Sequence, residues 1–213
     1  MTAERDTDMR KTLTLLSLAT ALCGCGGPDA PKRIAPLPAG VDVTALADCT
    51  VPASFTVEDI DWDSRQLALA FFNEDLYDAA EIHGMKAGDT LVYNGDTIIV
   101  SETDETDGYL TVNGGIEEGG AYLQAHEGGT YRGTLFDDHS VYSPIGKTTV
   151  PLADGWVIID CRENPGEPSD TLREGQQAYL EALAEYRRQF SPLDTRVRIR
   201  NGKVTHIERH WIP

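Results

Sequence analysis

No stretch of this chain can cross a bilayer as a helix. Its longest apolar run, Leu13–Leu22, is about ten residues, whereas a helical span takes roughly 20. Cations are scarce too: 18 lysines and arginines face 35 aspartates and glutamates, a formal net charge of −17. A body that acidic repels polyanions, which argues against nucleic acid as a partner and against attraction to anionic headgroups. The acidic side chains are scattered along the chain, so solubility is the plainest explanation for them. Patterns that announce common chemistries are missing as well. There is no glycine-rich phosphate loop opening a helix, no dinucleotide fingerprint and no Gly-x-Ser-x-Gly elbow. No Cys-x-x-Cys pair occurs, and no cofactor is expected. No repeat exceeds a hairpin; the glycine pairs at 114–115, 119–120 and 128–129 are unequally spaced and read as turns.

What is present is a succession of short apolar segments punctuated by turn residues. Phe55–Trp62 alternates, and Gln66–Phe72 resumes after a polar turn. Leu91–Tyr93 and Asp96–Val100 flank Asn94-Gly95, a two-residue hairpin signal. Tyr109–Val112, Ala121–Gln124, Thr130–Phe136, Thr148–Leu152 and Trp156–Cys161 are further strand candidates. Strands this short and this close predict a mainly β fold: an antiparallel barrel, roll or sandwich.

One amphipathic helix is expected near the C-terminus. Thr171 and Glu174 fit a capping box. Leu172, Tyr179, Leu183, Tyr186 and Phe190 then share a face, and Pro192 ends the run. A final hairpin follows, Thr195–Arg200 and Lys203–Trp211 around Asn201-Gly202. The expected register pairs Ile199 with Val204 and Val197 with His206, leaving Arg196, Arg198 and Arg200 on the other face. Between the strands, Tyr77–Asp89 is expected to make one helical turn, with His83 and Met85 as packing residues.

Few residues look chemically poised. Asp59-Ile60-Asp61-Trp62-Asp63 opens like a calcium loop. Ser64 and Ala70 stand where such a loop needs its glycine and closing glutamate, so a solvated turn is expected. His206, Glu208 and His210 share a strand face about 6.8 Å apart, close enough for two of them to share a zinc but without a third ligand. Asp137-Asp138-His139-Ser140 is the most reactive-looking run, in a loop after a strand, where sites are often built. Asp137, Asp138 and His139 are therefore the candidate binding residues, with a polar turn as the bland alternative. No catalytic set and no metal site is assigned.

The N-terminus carries an address. Met9-Arg10-Lys11 is basic, Leu13–Leu22 is apolar, and Leu22-Cys23-Gly24-Cys25 places a small residue before a cysteine. This resembles the lipobox of bacterial lipoproteins, where a peptidase cuts before the cysteine once its sulfur carries a diacylglycerol. Cys23 is the rival acceptor, but bulky Leu22 precedes it. Gly26 is not the aspartate of a Gram-negative inner-membrane retention signal. The polar residues ahead of Met9 suit a signal poorly, and Met9 is expected to be the true start.

The resemblance implies lipidation at Cys25, two or more acyl chains being enough for stable anchoring. Residues 1–24 are then a removed signal peptide, 25–46 a proline-rich tether reaching up to ~60 Å, and 47–213 one extracytoplasmic domain. Export would leave Cys49 and Cys161 as a pair, implying a disulfide that contributes about 4–5 kcal/mol; two free thiols are the alternative. The function expected is a non-catalytic binding or interaction module held at a bacterial membrane, its partner an unidentified envelope ligand or protein. An envelope hydrolase using loop acids and bases is one alternative. A structural subunit that docks Arg196, Arg198 and Arg200 on an acidic neighbour is the other.

Overall fold

The chain was analysed as a computed structural model, which describes residues 30–135, 138–160, 169–172, 180, 190–210 and 212. Turn chemistry sets many of the strand boundaries. Asn94-Gly95, Asp107-Gly108 and Asn201-Gly202 all adopt positive φ at both positions (52° and 82°, 52° and 80°, 50° and 68°). That is the backbone demanded by two-residue hairpins, and Asn, Asp and Gly adopt it at least cost.

The elements in chain order begin with β1 (Arg33–Ile34), β2 (Cys49–Ser54), β3 (Ile60–Asp61), β4 (Gln66–Glu74), β5 (Leu76–Asp78) and the short helix α1 (Ala79–His83). Then come β6 (Thr90–Tyr93), β7 (Asp96–Ile99), β8 (Thr103–Thr106), β9 (Tyr109–Val112), β10 (Ala121–His126) and β11 (Thr130–Thr134). The last are β12 (Tyr142–Asp160), β13 (Ser169–Leu172), β14 (Thr195–Arg200) and β15 (Lys203–Arg209). The fold is mainly β, as expected.

Two cores result. In the first, β12 pairs antiparallel with β4 through its first half and parallel with β15 through its second. β15 pairs with β14, β14 with β2, and β2 with β4, which closes a ring. Taken in chain order, the five staves run first, second, third, fifth, fourth and back to the first. This is a closed five-stranded Greek-key barrel. Alternation sends Val51, Ala53, Leu67, Leu69, Phe71, Val150, Ile158, Val197, Ile199, Val204 and Ile207 inward, all buried. The second core lies between the sheet β1-β6-β7 and the sheet β5-β11-β10-β9-β8. Tyr77, Leu91, Leu110, Val112, Leu123 and Tyr131 fill it. Most of this sandwich is inserted between the second and third staves of the barrel.

Several expectations are corrected. Phe55–Trp62 is not one strand: Thr56 N donates to Asp59 Oδ2 at 2.9 Å, and this cap winds Val57–Asp59 into a 3₁₀ turn. Thr148–Leu152 and the strand expected from Trp156 are not separate, because β12 runs unbroken to Asp160 while changing partners. Thr171 and Leu172 do not start a helix; their backbone belongs to β13, which pairs with the edge of β12. Leu180 is helical and buried in the barrel core, and Phe190 stacks on Phe55 with centroids 4.2 Å apart. The other residues of the expected helical face, Tyr179, Leu183 and Tyr186, lie outside the described residues. In the final hairpin, Ile199 pairs with Val204, but Val197 pairs with Ile207 and Arg198 with His206. Thr205 is the extra residue of a bulge, and it moves His206 to the arginine-lined outer face.

The tether is shorter than expected. Ile34 is 1% exposed and pairs beside Leu91, and Lys32 N donates to Asp89 Oδ1 at 2.7 Å. Leu37 N donates to Leu76 O, while Val41, Val43 and Leu46 pack on the barrel core. The folded unit therefore starts at Pro31 rather than at 47. Apolar side chains spaced between the prolines make the difference, since a tether has nothing to bury.

The expected Cys49–Cys161 staple has only its Cys49 end among the described residues. Cys49 carries a free thiol, raised by burial, and sits opposite Ile199 at one end of β14. Asp160, the neighbour of Cys161, aligns through Arg209 with Thr195 at the other end. Four residues of strand separate those rows, roughly 13 Å. Cys161 itself lies outside the described residues, as do Cys23 and Cys25.

Candidate functional site

The hairpin from β11 to β12 brings two of the three candidate residues to a groove. Leu135 N donates to His139 O at 2.7 Å, and Thr134 bridges Ser140, so the loop folds back tightly. Asp138 takes φ 61° at its tip, a left-handed conformation that aspartate tolerates. Asp138, His139 and Ser140 then line an open cavity of about 210 Å³ with Arg132, Tyr142, Leu193 and Ile212. Asp137 lies outside the described residues.

A chain of hydrogen bonds fixes the floor of this groove. Tyr109, Gln124 and Arg132 occupy one row across β9, β10 and β11. Strand alternation turns all three outward. Arg132 directs Nε and Nη2 at Gln124 Oε1, the first at 2.8 Å, and Nη1 at Ser140 Oγ at 3.3 Å. Ser140 Oγ donates to Glu74 Oε1 at 2.6 Å. On the other side, Gln124 Nε2 donates to Tyr109 Oη at 2.6 Å, and Tyr109 Oη donates to Asp138 Oδ1 at 3.1 Å. That last bond holds the Tyr109 phenol above its ordinary pKa. Arg196 Nη2 donates to Tyr142 Oη at 2.6 Å, with the guanidinium 5.2 Å from the ring centroid.

Nucleophilic catalysis needs a hydroxyl hydrogen-bonded to a base that is itself oriented. Among the described residues, Ser140 Oγ is tied to Glu74 and Arg132 rather than to His139. The residues that sequence reasoning missed are Glu74, Tyr109, Gln124, Arg132, Tyr142 and Arg196. Each looks like an ordinary polar-face residue until the register sets them side by side.

The other candidate groups resolve differently. Asp61 Oδ1 accepts from Ser64 N at 2.9 Å, and Asp59 pairs with Lys147 at 3.1 Å, so the calcium-like run is a capped turn. Glu208 is engaged by Arg198 at 2.7 Å, and His206 contacts Thr205 at 3.0 Å. Burial and the nearby Arg198 push the His206 pKa down. Among the described residues, no group of three or more His, Cys, Asp or Glu side chains is placed to hold a metal. Met85 packs in the sandwich core as expected, but His83 is half-exposed. Its Nε2 lies 3.1 Å from Tyr131 Oη, which donates to Glu105 at 2.7 Å.

Asp75, the joint between β4 and β5, is a buried acid close to the site. It is fully buried, and Oδ2 accepts from Asn94 N at 3.1 Å. Desolvation drives its pKa up, opposed by Ser143, Asn94 and Tyr77. A raised folded-state pKa means that the folded protein holds this proton more tightly than the unfolded chain. Asp75 therefore favours folding below about pH 4, the ordinary aspartate value. This contribution is lost as pH rises through the raised pKa. Asp75→Asn is expected to flatten that slope, so the variant gains on the native protein between pH 4 and 7. Urea midpoints across that range check it, and parallel curves would refute it.

Comparison with known protein families, curated proteins and solved structures finds no match to this chain.

Proposed function

We propose that this is a lipid-anchored extracytoplasmic protein whose β domain binds an envelope component without transforming it. The observation that carries the binding half is the groove at Asp138, His139 and Ser140, where Tyr109 holds Asp138 and Glu74 and Arg132 hold Ser140. Its supporting elements are sheet strands, the kind of rigid platform on which loops present recognition residues. The anchoring half rests on Leu22-Cys23-Gly24-Cys25 and the basic and apolar segments before it. Barrel type alone carries no function.

The position of β1 sharpens this reading. Only Gly26–Ala30 separates Cys25 from the folded unit. A fully extended chain covers at most ~3.6 Å per residue, so an acylated Cys25 would hold Pro31 within roughly 20 Å of the lipid. The domain would work at the membrane surface, and its partner would be found there. The acidic surface suits this, since it keeps the domain from lying flat on anionic headgroups.

Cys25→Ala is expected to move the protein wholly from the membrane fraction to the soluble fraction of its host. Fractionation and immunoblotting check this. Membrane association that persists in the variant would contradict the anchor.

A further inference from the structure

We infer that the groove between the β11–β12 loop and Tyr142 binds a neutral, hydroxyl-rich ligand, a terminal sugar ring of an oligosaccharide. The inference rests on the binding role proposed above and names its ligand class.

Charge makes the first selection. The chain as a whole is strongly acidic, yet the groove and its supports are balanced: Arg132 and Asp138 line it, and Arg196 and Glu74 hold its Tyr142 and Ser140 hydroxyls. A simple anion entering here meets carboxylates, and a simple cation meets guanidiniums. A hydroxyl both donates and accepts, so it can use both kinds of neighbour at once. Vicinal hydroxyls on a ring present such groups side by side, which matches Asp138, Arg132 and Ser140 along the groove, held in place by Tyr109, Gln124 and Glu74 through their chain of hydrogen bonds.

Order makes the second. The links of that chain run between side chains on five different segments of backbone. Their rotamers are therefore restrained before any ligand arrives, which lowers the entropy lost on binding. Shape makes the third. About 210 Å³ is less than the roughly 300–1,000 Å³ of drug-sized pockets. The open groove therefore suits one ring, with the rest of the chain in solvent. Tyr142, Leu193 and Ile212 supply apolar surface for the C–H face of that ring, and Leu193 is 36% exposed. A sugar ring has this combination of a greasy face and a hydroxylated edge; a free inorganic ion has neither.

The test titrates the purified, isotopically labelled full chain with three probes: neutral N-acetylglucosamine oligomers, acidic oligogalacturonate and cationic glucosamine oligomers. The neutral oligomer is expected to shift the amide signals of residues 138–142. Tyr109→Ala and Arg132→Met should each weaken that binding at least tenfold, and Tyr109→Phe, which removes only the hydroxyl, should weaken it less. Melting temperature controls for folding in each variant. Lys147→Ala, on a remote pair with Asp59, should bind as the native protein does.

Shifts at 138–142 with only the acidic or only the cationic probe would overturn the neutral-sugar assignment while keeping the groove as a binding site. Neutral-probe binding indifferent to Tyr109→Ala and Arg132→Met in folded protein would overturn the location. No shift with any probe would overturn the inference outright. The fractionation result for Cys25→Ala is independent of all of these, so failure of the anchor and failure of the ligand assignment remain distinguishable.

Discussion

Replacing Arg209 with methionine is expected to destabilise the folded protein by about 3–5 kcal/mol. Arg209 is the largest fully buried side chain, and its guanidinium lies 4.7 Å from the centroid of the Phe190 ring. Nη1 donates to Asp160 Oδ2 at 2.9 Å, and Nη2 is 3.8 Å from Asp194 Oδ2. Asp194 also accepts from Thr195 Oγ1 at 2.7 Å and from Ser191, which ties the start of β14 to this cluster. The two carboxylates are themselves almost inaccessible. Methionine fills much of the volume and keeps a contact with Phe190, so the substitution isolates the loss of charge. Two buried acids would then remain without their shared cation. Urea unfolding measures the outcome. A loss below about 1 kcal/mol, the scale of an exposed ion pair, would mean that the cluster does not hold the β12, β14 and β15 ends together.

The second large effect is steric. A Cβ placed on Gly120 would stand 1.8 Å from the carbonyl oxygen of Val112 and 2.8 Å from its carbon. Both neighbours are backbone and cannot swing aside. Gly120 N also donates to Gly115 O at 2.7 Å, fastening the turn between β9 and β10. Gly120→Ala is expected to force β9 and β10 apart at that point, at a cost of about 1–3 kcal/mol or more. Gly40→Ala is the matched control, because nothing lies within 4 Å of its added Cβ; surface changes of that kind fall within about 0.5 kcal/mol. Equal unfolding midpoints for the two variants would show that the β9–β10 turn yields more easily than its geometry implies.

These positions show what a linear pattern can reveal. Asn94-Gly95 and Asn201-Gly202 are legible because their required backbone, positive φ twice in succession, is a property of the residues themselves. Strand β2 is not, since Pro52 argues against a central strand. The structure accommodates Pro52 where β2 passes from β14 to β4 as partner. Strand β8 reads Thr-Asp-Glu-Thr and is exposed throughout, so no apolar alternation marks it. Thr205 looks like any strand threonine, and only the pairing with Arg198 and Ile199 exposes the bulge that turns His206 outward.

The groove was half legible. Asp138 and His139 stand out as a reactive run, whereas Arg132, Gln124 and Tyr109 become a set only when three strands pair in one register. Glu74, on β4 of the barrel, reaches the same network from more than sixty positions away through Ser140. The tether misled for a related reason. Proline content suggested an extended spacer, but Ile34, Val41, Val43 and Leu46 had partners available in the two cores.

The most direct test of the whole account is the intact mass of the protein purified from the membranes of its native host. The expected result is a polypeptide whose first residue is Cys25, with a diacylglyceryl group on the Cys25 sulfur. A mature chain that begins at Met1 or Met9 and carries no acyl mass would contradict it.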